Sequence, residues 1–510
     1  MPFADQALKW YTDGDPASNV DATGKVPDGI ERWNRYEDLI AFARTKLLCD
    51  KQIDQTRASY PAAARAAVLD VRIMLAFEAG RPSAHRRELE LVESHMRTVY
   101  SIPRHREYIR SGYSSEPILA EAAAQQLHFW RTTGAEQTEP AALILQEDLD
   151  HDLLSRGEIG EAVGRLLLIL ARDHAAVATS TPDELVPFSR AVPVNTFIEE
   201  LFTVEVVKQV LDSMPDNLPG GSGSPRKTFK EAFKGAVLNF THFAEWVDDS
   251  ALSEDVALGC FMREMALFCR NGATEVDVFL PVLLDEAEPL SPCRMSGILV
   301  QFKLRAPRGT RAAYVIDQED IGLFPAGVGP RDSGKTLRPY ITLIMELGVT
   351  NPPPQPAGAP ANLDVNTEEE IQMNEAAPPP RPSVPQPASR RSGRVEPTHP
   401  RYSMYIYGCS HSVYRVIGER EQSVYDHIVR AGKPLAEHPR QDAQSLGLVR
   451  QLKPFFIVGD VSWHWLQDER LNVMFHGEEG PGGVFVGSLS GGLGLADDDD
   501  VDMVLGEDEQ

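Results

Sequence analysis

TEVDVFLPVLL, Thr274–Leu284, and SGILVQFKLR, Ser296–Arg305, are short runs rich in Val, Leu and Phe, joined by the loop Asp285–Met295. Such composition predicts two adjacent buried strands in an irregular hairpin. Side chains alternate along a strand, so Gln301 and Lys303 share one face, opposite Val300, Phe302 and Leu304. Asp277 sits between Val276 and Val278 on the first run. Pairing the runs brings its carboxylate close to Gln301 and Lys303. Burying a carboxylate and an ammonium is costly unless they pair or hold a metal.

Further runs of the same kind follow at Ala312–Ile316, Tyr340–Leu347, Tyr402–Tyr407 and Ser412–Ile417. Before Ala273 the pattern is helical. Apolar residues recur at mixed three and four spacing in Tyr36–Leu48, Ala62–Phe77, Glu88–Val99 and Ile118–Trp130. The strongest helix is Glu158–Asp173, with Ile159, Ala162, Val163, Leu166, Leu167 and Leu170 along one wide stripe. Helices are also expected at Asn195–Met214, Thr228–Trp246 and Ser253–Cys269, then at Glu421–Arg430 and Gln441–Leu452. Helices first and strands later predict an α+β fold, a helical N-terminal region followed by a mixed β-sheet core flanked by helices.

The expected organisation is a flexible N-terminus (1–29), a helical region (30–215) and an α+β core (225–350 and 401–475). A Pro-rich insertion (351–400) interrupts the core. It holds 13 of the 38 prolines and almost no large apolar residues, so it cannot bury enough surface to offset its ordering entropy and reads as disordered. The Gly-rich and acidic tail (477–510) reads the same way.

The net charge of −25 opposes non-specific binding to nucleic acid or anionic membrane, though a local basic groove remains compatible with it. Five cysteines without a CxxC argue against a disulfide framework or zinc cage and favour a reducing compartment. No apolar signal core opens the chain, and no apolar run reaches the ~18 residues of a membrane span. The expectation is an intracellular protein of cytoplasm or nucleus, with no membrane partner.

Asp277 and the Gln301 amide oxygen are ligands of the kind a hard cation such as Mg²⁺ or Mn²⁺ prefers. A lysine beside such an ion positions, or helps to deprotonate, a water attacking a phosphodiester. A further acid from a preceding helix would complete the set, with Glu264 and Glu161 as candidates. Arg305, Arg308 and Arg311 extend from Lys303 as a basic run able to meet phosphates.

This arrangement resembles the PD-(D/E)xK motif of restriction-endonuclease-like nucleases, with Asp277 as the first acid and Gln301-x-Lys303 at the second. The longer stretches FTHFAEWVDD, FMREMALFCRNGATEVDVFLPVLL and MSGILVQFKLR resemble a lineage-expanded family of uncharacterised fungal proteins of mushroom-forming basidiomycetes. Leu304 stands where members of that family often carry Asn. The resemblance implies a restriction-endonuclease-like domain, active or degenerate, with Asp277, Gln301, Lys303 and Glu264 as site residues and nucleic acid as partner.

Two other readings stay open. The same residues suit a buried Asp–Lys pair that fixes strand register in a non-catalytic interaction protein. Gly329–Thr336, GPRDSGKT, matches the phosphate-binding loop of P-loop NTPases as a string. Its context is poor: Pro339 falls where a helix should run, and the following residues read as β. His464, between Trp463 and Trp465, reads as part of an aromatic cluster.

Overall fold

The structure, a computed structural model, describes residues 29–431 except 78–81, 103, 105–108, 135–138, 151–152, 155, 182–186, 219–225, 247–251, 270–275, 305–315, 318–320, 325–336, 349–362 and 365–398. Only backbone is described at 29–35, 156–157, 363–364 and 430–431. All of these lie in one unit, Met1–Ala436.

Eleven α-helices are described: α1 (Gly29–Leu48), α2 (Ala62–Ile73), α3 (Pro82–Ser94), α4 (Pro117–Thr133), α5 (Pro140–Asp150), α6 (Arg156–Ala178), α7 (Val194–Leu201), α8 (Val204–Leu211), α9 (Phe229–Ala232), α10 (Glu254–Met262) and α11 (Gln422–Ala431). A small antiparallel hairpin, β1 (Thr98–Ser101) and β2 (Arg110–Gly112), sits among the N-terminal helices.

The remaining strands form one mixed sheet: β3 (Val192–Pro193), β4 (Val237–Leu238), β5 (His242–Trp246), β6 (Met265–Cys269), β7 (Val278–Leu283), β8 (Met295–Lys303), β9 (Tyr340–Glu346), β10 (Leu363–Asp364) and β11 (Arg401–Tyr407). The β7–β8 hairpin predicted from the sequence is its centre, antiparallel from Val278↔Val300 to Leu283↔Met295. On one side β8, β9, β11 and β10 run parallel. On the other, β6 and β4 share the free edge of β7, one at each end.

Both faces of the sheet are covered, which is why its central strands read as continuous apolar runs. Val278, Val300, Phe302, Leu343 and Ile406 face the helices. Phe279, Leu299, Ile344, Tyr405 and Tyr407 face a second cluster built with α10, Leu323 and Phe324. The central helix α6 is buried almost all round, beyond the single stripe expected. Gly160 and Gly164 let it approach β8. A Cβ at Gly164 would lie 2.2 Å from the Phe302 ring, and one at Gly160 2.9 Å from the Leu304 Cβ. The helical region and the sheet therefore share one core, running from Ile40 to Ile428.

Several expected elements differ. Thr228–Trp246 is the single turn α9 followed by β4 and β5, not one helix. Ser253–Cys269 is α10, a reversal at Arg263–Glu264, and β6. Asn195–Met214 breaks into α7 and α8 around Phe202 and Thr203. Ser412–Ile417 is a turn carrying one bridge, Phe202↔Tyr414, rather than a strand. Strand β10 falls within the Pro-rich insertion, the rest of which, apart from 399–400, lies outside the described residues. So do 312–315, Gln441–Leu452, His464 and the acidic tail. Among the described residues no helix is long and apolar enough to cross a membrane.

Candidate functional site

Strand β7 begins one residue after Asp277, and there its ladder with β8 changes character. The Asp277 N–H still donates to the Val300 carbonyl at 2.9 Å, and its carbonyl accepts from Cys269 of β6 at 2.8 Å. The next N–H along β8, that of Phe302, finds no backbone acceptor on β7. The Asp277 carboxylate takes it instead, at 2.6 Å. Asp277 thus ends the ladder with its own side chain. Burial raises its pKa, against the pull of that N–H and of the Lys303 and Arg165 charges.

Lys303 is the last residue of β8 and is half-buried. Gln301, two residues earlier on the same face, is 1 % exposed. The β7–β8 register continues to set Asp277 opposite Gln301, and the Lys303 charge acts on the Asp277 carboxylate.

Glu264 does not belong to this group. It lies before the first residue of β6, whereas Asp277 lies beside the last, on the order of 15 Å away along the strand. Its charge partners are Arg172 and Glu121. Burial pushes it up to about 7, against Arg172 and with help from Glu121. Glu264 is in the left-handed region, φ 55°, where it reverses the chain between α10 and β6.

Glu161, the other candidate acid, is the one brought to Asp277. Helix α6 lies against β8 through Gly160 and Gly164, so the intervening Glu161 comes within electrostatic reach of Asp277. Burial pushes Glu161 up to about 7; Arg165 opposes this, and the charges of Glu158 and Asp277 add to it. Arg165 bonds to Glu158, lies 3.4 Å from Glu161, and donates to the Ile73 carbonyl at 2.8 Å.

One residue of this neighbourhood went unremarked in the sequence. Glu346, the last residue of β9, is in parallel register with Lys303, and Tyr407 of β11 is in register with Glu346. Neighbouring strands lie roughly 4.8 Å apart, so Lys303 stands beside Glu346 on β9, while on the other side the register Val278↔Val300 continues to set Asp277 opposite Gln301. Glu346 is 3 % exposed. These residues end three parallel strands, the end at which open α/β sheets place their ligands.

Glu158 and Glu161 thus gather about Arg165 on α6, while Glu346 ends β9 in register with Lys303 at the end of β8. Among the described residues no three His, Cys, Asp or Glu side chains form a metal cage. Mg²⁺ does not need one: it is held by one or two carboxylates plus waters and substrate phosphates. Asp277 and Glu161 are two carboxylates whose negative charges act on one another here.

The loop Gly329–Thr336 lies outside the described residues, as do Arg305, Arg308 and Arg311. A phosphate-binding loop opens a helix at its lysine. Here Leu337–Pro339 are not helical and Tyr340–Glu346 is a strand. Comparison with known protein families, curated proteins and solved structures finds no match to this chain.

Proposed function

We propose that the Asp277–Lys303 centre is a metal-dependent phosphodiester hydrolase site of the PD-(D/E)xK kind, with Glu161 as its second carboxylate. The observation that supports this reading is the Asp277 carboxylate on the Phe302 N–H at 2.6 Å, between Gln301 and Lys303 at the end of the β7–β8 hairpin.

Asp277 and Glu161 would hold Mg²⁺ or Mn²⁺, with Gln301 contributing at most its amide oxygen. The ion supplies charge neutralisation at the phosphate and acidifies a bound water. Lys303 directs its ammonium at the phosphate and offsets the negative charge that builds there. With Glu161 and Asp277 holding the ion, the attacking water, acidified by it, would give up its proton to solvent. The water oxygen bonds to phosphorus, the P–O bond to the leaving oxygen breaks, and that oxygen takes a proton from solvent.

The test is cleavage of single-stranded DNA, duplex DNA and RNA by the full chain with Mg²⁺ or Mn²⁺. Activity should vanish in EDTA and in Lys303→Ala, and fall at least about a hundredfold in Glu161→Gln. Equal cleavage by wild type and Lys303→Ala would sink the reading.

A second reading is favoured by the 2.6 Å bond from the Phe302 N–H to Asp277. In it the centre is a register lock in an interaction protein. It predicts no metal-dependent cleavage by wild type, and loss of stability in Asp277→Ala.

A further inference from the structure

We propose that the β1–β2 hairpin is a stacking platform for single-stranded nucleic acid; its role in delivering a strand to the Asp277–Lys303 centre rests on the hydrolase reading above. The hairpin pairs Thr98↔Gly112, Val99↔Ser111 and then Ser101↔Arg110, so Tyr100 is the extra residue of a bulge. Bulges re-aim side chains, and they recur beside functional sites. Gly112 makes room for the result. A Cβ there would lie 3.0 Å from Tyr100 Cε2 and 3.1 Å from its hydroxyl oxygen. The ring therefore lies across the glycine, while the residue stays 50 % exposed.

The surroundings match a strand of nucleic acid. Ile102 is 61 % exposed beside Tyr100, and Arg104 and Arg110 are exposed on the same hairpin. In a chain of net charge −25 these two cations stand out, with Glu245 and Asp70 as the acids whose charges also reach Tyr100. Aromatic faces flanked by cations hold single strands, because every base has a face to stack and every nucleotide a phosphate to pair. The two strands are too short for a stable protein interface of ~800 Å² per partner, but they suit a few nucleotides.

The platform is fixed rather than dangling. Arg97 at its base pairs with Asp70 and donates to the Ser111 carbonyl at 2.9 Å and the Leu75 carbonyl at 3.3 Å. Arg165 holds the same segment through the Ile73 carbonyl and reaches Glu161 beside Asp277. Hairpin and centre thus hang from the end of one helix, α2.

The experiment is fluorescence anisotropy of the full chain with labelled oligo(dT) and oligo(U) of ~15 nucleotides, and a duplex of equal length, in EDTA. Single strands should bind more tightly than duplex, and the tighter of the two oligomers identifies DNA or RNA as the source. Tyr100→Ala should weaken binding about tenfold, with Tyr100→Phe close to wild type. Arg104→Ala with Arg110→Ala should flatten the salt dependence by about 1.4 in log–log slope. No binding by wild type, preference for duplex, or wild-type affinity in a folded Tyr100→Ala chain would each overturn the platform. Binding without Lys303-dependent cleavage defeats the hydrolase reading alone. Lys303-dependent cleavage with binding indifferent to Tyr100 defeats the platform alone.

Discussion

At Asp277 the charge and the hydrogen bond can be separated by substitution. Asp277→Asn keeps an oxygen for the Phe302 N–H, whereas Asp277→Ala leaves that donor without its acceptor. Urea unfolding should show Asp277→Ala destabilised by about 1–3 kcal/mol and Asp277→Asn by less than half of that. Hydrolysis should be lost in both; activity surviving in Asp277→Asn would remove the carboxylate from the chemistry. Glu161 gives a pH test. Its folded pKa, about 7, lies above its unfolded value, so it favours the folded state below the unfolded pKa, and that contribution fades as pH rises through 7. Glu161→Gln, permanently neutral, should gain in melting temperature relative to wild type between about pH 5 and about pH 8. A constant difference would mean that Glu161 titrates normally. Asp277, Gln301 and Lys303 were legible in the sequence because strand alternation fixes which side chains share a face. The choice of Glu264 over Glu161 was not legible, since proximity along the chain favoured Glu264 while the glycine-mediated approach of α6 favoured Glu161. Glu346 did leave a signal: a lone acid ending the apolar run YITLIME.

Helix α6 against strand β8 is the contact that assembles the centre. Both glycines at their crossing are there for space. Gly164→Ala would drive a methyl group into the Phe302 ring. Overpacking of this kind costs about 1–3 kcal/mol, and here it would also lift Glu161 from Asp277. Pairing it with Phe302→Leu should restore most of the stability. A double-mutant cycle with no coupling would show that the helix rides elsewhere on the sheet. The strands with two covered faces were readable, because their apolar runs are uninterrupted. Two of the misread elements have separate causes. In Phe240, Phe243 and Trp246 the aromatic residues recur every third position, which mimics a helix, but β5 pairs with β6 from His242↔Met265 to Trp246↔Cys269. The reversal after α10 is made by Glu264 rather than by a glycine or proline, so no punctuation marked it.

For the molecule as a whole, a helical half and a sheet half were expected, and buried ion pairs join them instead. Arg72 of α2 is fully buried. It bonds both Asp173 oxygens on α6, at 2.8 and 2.9 Å, and the Thr241 carbonyl just before β5. One side chain thus ties two helices to the sheet. Burying a guanidinium is costly, and here Nε and Nη2 are paired while Nη1 has no hydrogen bond; among the described residues, removing Arg72 leaves Asp173 paired with Arg172, 3.4 Å away. Arg72→Ala should therefore cost about 3 kcal/mol or more. Its distribution is the sharper test. If the halves share one core, native-state hydrogen exchange should fall in protection by the same amount in α2, α6 and the strands β7–β9, and the unfolding transition should stay single. If the helices formed a lobe of their own, the loss would be confined to α2 and α6, and the strands would keep wild-type protection. The first outcome is expected, because the residues that hold Asp277, Lys303 and Glu161 together come from both halves, and a centre so divided persists only while the two unfold as one.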